Sequence, residues 1–194
     1  MIFGKQSVLN SAHSVEKYES ITSSQKIEIF PYLKTNLSGN ERVCLDFGCG
    51  PGRFTQDLAT LIHGKAIGVD PIHELLDLAI PTTDVEYYLL KKGKIPLPNN
   101  SVDIVWCCLV LGGIPEVLLP NTINEILRVL NDDGLLVIIE NTSEKLSQSY
   151  WMFRSFEFYC SLFPEVSLKK VHQYSDLGET ISVMIGRKKV HPIV

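Results

Sequence analysis

The chain has 194 residues, 45% of them hydrophobic and 21% charged, the balance of one soluble globular domain. A formal net charge of −4 excludes the basic field that a nonspecific nucleic-acid binder needs. No apolar run approaches the roughly 18 residues of a membrane span, and no apolar core of a secretory signal opens the chain. Five cysteines without a CxxC pair suit a reducing compartment and predict no metal site. The expected location is the cytoplasm, with neither nucleic acid nor membrane as partner.

In residues 11–37, Val15, Tyr18, Ile27, Phe30 and Leu33 recur at loose helical spacing, as a packing helix or as a lid over a site. "RVCLDF" (Arg42–Phe47) reads as a buried strand. Phe54, Leu58, Leu61 and Ile62 then mark one face of a helix, closed by Gly64. "KAIGVD" is a second strand. Ile72, Leu75, Leu76 and Ala79 predict a second helix that Pro81 ends, and "DVEYYLL" a third strand. "KKGKIPLPNNS" is a loop, and "VDIVWCCLVL" a strand covered on both faces. Thr122 and Glu125 form a capping box for a helix carrying Ile123, Ile126, Leu127 and Leu130. "NDDG" is a turn before a fifth strand, "LLVIIE". "SYWMFRSFEFYCSLF" predicts a helix with Arg154 and Glu157 on its narrow polar strip. "VSLKKVHQYSD" and "ETISVMIGRK" are too close in sequence for a crossover and must pair antiparallel. Strands alternating with helices imply right-handed crossovers and an α/β, mostly parallel, seven-stranded sheet with helices on both faces and an antiparallel C-terminal strand. A single domain over 1–194 divides into a helical cap (1–40), a core (41–140) and a helix with closing hairpin (141–194).

The chemistry concentrates in "RVCLDFGCGPGRFTQDLATLIHGKAIGVD". A loop between a strand and a helix presents free amides at the positive helix end, and Gly48, Gly50 and Gly52 allow a ligand against bare backbone. A dinucleotide loop would run G-x-G-x-x-G. Here Arg53 stands at the third position, the glycines run G-x-G-x-G, and Asp46 precedes them. Asp70 ends the second strand, where a carboxylate accepts two ribose hydroxyls. The pattern fits a nucleoside better than a pyrophosphate.

"VCLDFGCGPGRFT" resembles the first motif of class I S-adenosylmethionine-dependent methyltransferases, and "GVDPIHELLDLA" their second, acidic motif. "IPLPNNSVDIVWCCLVLGGI" and "EILRVLNDDGLLVIIE" are similar to the two that follow, in the same order. The resemblance implies the Rossmann-like fold of that family and S-adenosylmethionine as cofactor. It assigns Gly48, Cys49, Gly50 and Gly52 to the cofactor loop, Asp46 to its amino end, and Asp70 to the ribose. Pro71 and Ile72 would pack on the adenine, backbone near Lys92 would meet its edge, and a carbonyl of Cys107 or Cys108 would accept from the ammonium. Two departures stand out. Lys91 occupies the place of an acid that takes the adenine amino group in many relatives, and Gly113, in "VLGGI", replaces a histidine they often carry.

Methyl transfer from a sulfonium depends mainly on alignment, and an oxygen acceptor also needs a base, whereas a neutral amine does not. With the histidine missing, the candidate bases are Glu140, His172 and Tyr174, with His73 and Asp176 behind them. Tyr18 and Arg154 are candidates for the acceptor, Arg154 through its forked donors. "FRS" and "IGRK" resemble methyltransferases encoded with cell-surface glycan genes, which ranks a sugar, nucleotide-sugar or similar metabolite first as acceptor of O- or N-methylation, by a monomer or homodimer. Two other readings stay open: a noncatalytic S-adenosylmethionine-binding partner subunit, and a nicotinamide-dependent oxidoreductase.

Overall fold

Strands interspersed with helices run from residue 43 onward in the computed structural model, which describes residues 15–147 and 151–190. Helix α1 (Val15–Asn36) precedes β1 (Val43–Phe47), α2 (Thr55–Ile62) and β2 (Lys65–Asp70). A single turn, α3 (His73–Leu76), leads to β3 (Val85–Leu89) and β4 (Val102–Cys108). Then come α4 (Leu119–Val129), β5 (Leu130–Asn141), α5 (Phe156–Leu162), β6 (Lys169–Asp176) and β7 (Glu179–Arg187). The seven strands pair in the order β3-β2-β1-β4-β5-β7-β6. β1 to β5 are parallel, and β7 inserts antiparallel between β5 and β6. The chain winds outward from β1 to β3, then crosses to β4 on the other side of β1. That reversal opens a crevice at the carboxyl ends of β1 and β4, where ligands bind in open α/β sheets.

The apolar β4 serves two cores, as its continuous run predicts. Ile104 and Trp106 pack with Ile29 and Leu33 of α1 and Leu58 of α2. Val105 and Cys107 pack on the opposite face with Ile126 of α4 and Tyr159 of α5. No helix among the described residues is long and apolar enough to cross a membrane.

Several local expectations are corrected. The helix expected over 72–79 is one turn, burying Leu75 while Leu78 and Ile80 stay exposed. A helix this short gains too little from its own bonds without a packed face. Thr122 and Glu125 form no capping box. α4 has already begun at Leu119, because Pro120 is tolerated only in a first turn. Thr122 Oγ1 instead donates to Leu118 O at 3.1 Å, and Glu125 pairs with Arg128 at 2.7 Å. The "NDDG" turn is absorbed into β5 as a bulge, where β4 advances two residues and β5 five, with Asp133 at φ +58°. α2 ends with His63 in the left-handed conformation. Gly64 is needed for a different reason, since any side chain there would strike the Arg42 carbonyl. Of the helix expected over 149–163, residues 149 and 150 lie outside the described residues, and helix forms only from Phe156. Ser155 is its N-cap, accepting from Phe158 N at 3.3 Å. The segment before it is pinned elsewhere, Met152 N donating to Gly112 O at 2.7 Å. Ile27 is 74% exposed and off the buried face of α1.

Candidate functional site

The glycine loop hangs between the ends of β1 and β2. Gly48 N and Cys49 N donate to Val69 O at 2.8 and 3.1 Å, and Gly50 N donates to Asp70 Oδ2 at 3.0 Å. Gly48, Gly50 and Gly52 all hold positive φ, at +74°, +54° and +82°. Their surroundings differ. A Cβ on Gly48 would collide with Val110, and one on Gly52 with the Tyr87 hydroxyl. At Gly50 the nearest atom to a Cβ is Leu75 Cδ1 at 3.9 Å. Gly48 and Gly52 are therefore packing positions, and Gly50 is the bare one. Cys49 turns its thiol inward, close to Gly68, so it offers the site backbone only.

Asp70 is 6% exposed and takes one amide on each oxygen, Gly50 N and Ile72 N, the latter at 2.8 Å. A carboxylate has about four acceptor positions, so two remain. Burial pushes its carboxyl up, while the two amides pull it down. Asp46 lies deeper, accepting from Thr55 Oγ1 at 2.7 Å. Burial raises it to about 7, against the pull of Thr55 and Arg53. Pro71 is exposed, and Ile72 is half-buried at the start of α3. Lys92, exposed with φ +53°, tips a turn closed by Lys94 N donating to Lys91 O at 3.0 Å. Cys107 and Cys108 end β4 buried, and burial pushes both thiols up, Cys108 to about 12. Directly after them Leu109 adopts φ +56°, a strained conformation for leucine, and turns the chain into the Val110–Ile114 loop.

That loop is where Glu140 and Arg154 fall. Glu140 is fully buried at the end of β5 and accepts from Val110 N at 2.8 Å, Leu111 N at 2.6 Å and Gly112 N at 3.3 Å. Burial lifts it to about 7, although all three amides and Arg154 draw it down. Arg154 stands before α5 and not on its polar strip. It is 6% exposed, donating Nη1 to Leu111 O at 2.7 Å and Nη2 to Ile114 O at 2.9 Å. Its remaining Nε is buried with no partner, so its fork faces backbone.

His172 and Tyr174 lie on the edge strand β6, three strands from β4. His172 stacks on Tyr32 of α1 at 4.3 Å between ring centres, with Nε2 2.9 Å from Glu28 Oε2. The Tyr174 hydroxyl is buried without a partner. Of the secondary candidates, His73 pairs with Asp77 at 3.0 Å, and Asp176 accepts from Gln25 Nε2 at 3.1 Å. Tyr18 lies on the first turns of α1, and its side chain is outside the described residues.

Three features were not anticipated. Arg53 Nη1 donates to Thr22 Oγ1 and Gln25 Oε1, both at 3.2 Å, tying the glycine loop to α1. Val110 covers Gly48. Trp151 lies so close to Gly112 that a Cβ there would be 2.5 Å from the indole. The paired glycines of "VLGGI" were the available signal for Trp151; nothing in the sequence foretells its distance. A cleft of about 420 Å³ between α4 and α5 is lined by Ile123, Leu127, Phe158 and Leu162, and no candidate residue borders it.

Comparison with known proteins agrees with this fold. A family model described as a methyltransferase domain matches residues 45–138. A malonyl-[acyl-carrier protein] O-methyltransferase of Yersinia pestis is 27% identical over 143 residues, covering 72% of this chain and 52% of that protein. The chain spans about half the length of the curated relatives it matches. Among solved structures, an S-adenosylmethionine-dependent methyltransferase of Aquifex aeolicus superposes with TM-score 0.64 at 19% identity, covering 90% of this chain and 98% of that one. A chain from the complex between the Haloferax volcanii Trm112 methyltransferase activator and a methyltransferase superposes with TM-score 0.70 at 18% identity, covering 89% and 94%.

Proposed function

We propose that the chain is a class I S-adenosylmethionine-dependent methyltransferase, as the methyltransferase-domain match over residues 45–138 and the shared fold support, and that it methylates a small-molecule acceptor, a sugar, nucleotide-sugar or similar metabolite. One observation carries the site: the glycine with open space, Gly50, donates its amide to Asp70, whose carboxylate keeps acceptor capacity. Those two residues fit an adenosyl group, Gly50 by leaving room against its backbone and Asp70 by accepting the ribose hydroxyls. S-adenosylmethionine supplies a methyl group activated by its sulfonium. Asp46, Cys49, Pro71 and Ile72 complete the cradle, with backbone near Lys92 and the β4 end at Cys107 and Cys108.

The residues of the chain then orient and shield the reacting centre, and alignment contributes most of the acceleration. Of the candidate bases, Glu140 and His172 are engaged, and Tyr174, whose buried hydroxyl has no partner, has its pKa raised by that burial. Glu140 holds three amides, and His172 is stacked under α1 beside Glu28. Gly113 offers no side chain. This supports an acceptor needing no strong base, and an amine on a small metabolite meets that condition. The net charge of −4 supports a small acceptor over nucleic acid. The test is release of S-adenosylhomocysteine with aminosugars, nucleotide-sugars, hydroxylated sugars and nucleic acid in turn. Turnover of an amine-bearing member supports the reading, and turnover only of nucleic acid overturns it.

A second reading is an S-adenosylmethionine-binding partner that works beside another subunit. Trp151 against Gly112 favours it by narrowing the space over the β4 loop. Turnover by the isolated chain removes that reading.

A further inference from the structure

The loop after β4 is held from both sides by charge. Its amides, from Val110, Leu111 and Gly112, all point to Glu140, and the carbonyls of Leu111 and Ile114 point to Arg154. Both side chains are buried, and they come from different segments, the end of β5 and the irregular segment before α5. Bonds from charged groups to backbone in a dry setting are the strong, geometrically demanding kind. The held loop includes Val110, whose side chain covers Gly48 so closely that a Cβ there would collide with it. Gly48 leads, two residues on, to the open Gly50 and its bond to Asp70.

From this continuity we infer that Glu140 and Arg154 are positioning residues, one clamp that fixes Val110 against Gly48 and so sets the shape of the cofactor cradle. Neither is a base or an acceptor-binding group. Glu140 spends both oxygens on amides, and Arg154 spends both terminal nitrogens on carbonyls. The clamp also accounts for Leu109, since a leucine is kept at φ +56° only where its surroundings over-determine it. The inference rests on the cofactor reading above for its effect on affinity, but not for its effect on the loop.

The experiment combines two measurements on the full chain, titration calorimetry with S-adenosylhomocysteine and residue-resolved amide exchange. E140Q keeps the shape of the side chain but replaces one acceptor oxygen with a donor. It is expected to weaken S-adenosylhomocysteine about tenfold, the scale of one charge-assisted hydrogen bond. It is also expected to speed exchange at Val110, Leu111 and Gly112 while β1 and β2 exchange as in the wild type. V110A should weaken the ligand similarly, and the E140Q/V110A double variant should add little more, as coupled residues do. R154K, which keeps charge but loses the fork, tests the other side should E140Q fail to fold, and it should loosen the same amides. Wild-type affinity in E140Q, unchanged exchange at the three amides, or exchange accelerated equally in β1 and β2 would each overturn the clamp. Full additivity in the double variant would overturn the route through Val110. If the wild type takes up no S-adenosylhomocysteine, the cofactor reading fails, and exchange at the three amides alone decides the clamp.

Discussion

Asp70 and Glu140 end parallel strands of the same sheet at the same edge, and they do different work. Asp70 receives two amides, one per oxygen, beside a glycine with open space. Glu140 receives three, is fully buried, and faces a loop over which Trp151 lies. Position at the carboxyl edge of a sheet marks where ligands bind. Whether a given acid meets the ligand depends on how much acceptor capacity the backbone leaves it.

The sharpest way to break this contrast is to crowd the side that depends on bare backbone. Gly48→Val would force a β-branched residue to φ +74° and into Val110. It should cost about 3 kcal/mol or more in urea unfolding and abolish cofactor uptake. Gly112→Ala on the Glu140 side must displace Trp151. It should cost about 1–3 kcal/mol in the same unfolding measurement, with uptake of S-adenosylhomocysteine retained.

Acidity extends the contrast to the whole fold. Asp46 and Glu140 are held at about 7 by burial, above their ordinary 3.8 and 4.5. Their contribution to stability is fully present below those ordinary values and is lost as pH rises through about 7. Glu41 runs the other way. Although burial opposes it, Arg187 at 2.8 Å and the Ser38 amide hold it at about 2, so its contribution is lost as pH falls through about 2. The melting temperature should therefore peak near the ordinary carboxylate values of 3.8 and 4.5, decline from there as pH rises to about 7, and level off above it. The D46N/E140Q double variant should flatten that decline, and an equal decline in the double variant would assign it elsewhere. The smallest effect is local: Ser155→Ala removes the cap of α5 and should cost about 1 kcal/mol.

The two sides were not equally legible in the sequence. That the glycine loop and Asp70 come together could be read because the signal lies in local spacing: a strand, three glycines, a helix period and a strand-end acid within thirty residues. The sheet was readable for the same reason, down to the hairpin, whose Leu177 and Gly178 adopt the two positive φ angles of a tight turn. Arg154 was misplaced because its partners, Leu111 O and Ile114 O, lie about forty residues away, and no periodicity encodes them. The start of α4 was misplaced because Pro120 outweighs a capping signal two residues later. α3 was overestimated because periodicity records where apolar residues stand and not whether a neighbour covers them.

The most direct measurement is calorimetric titration of S-adenosylhomocysteine into the wild type and Asp70→Ala, with melting temperatures taken alongside. The account predicts that the substitution weakens binding about a hundredfold, the scale of two lost hydrogen bonds to a charged acceptor, with the fold retained. Equal affinity in the two proteins would contradict it.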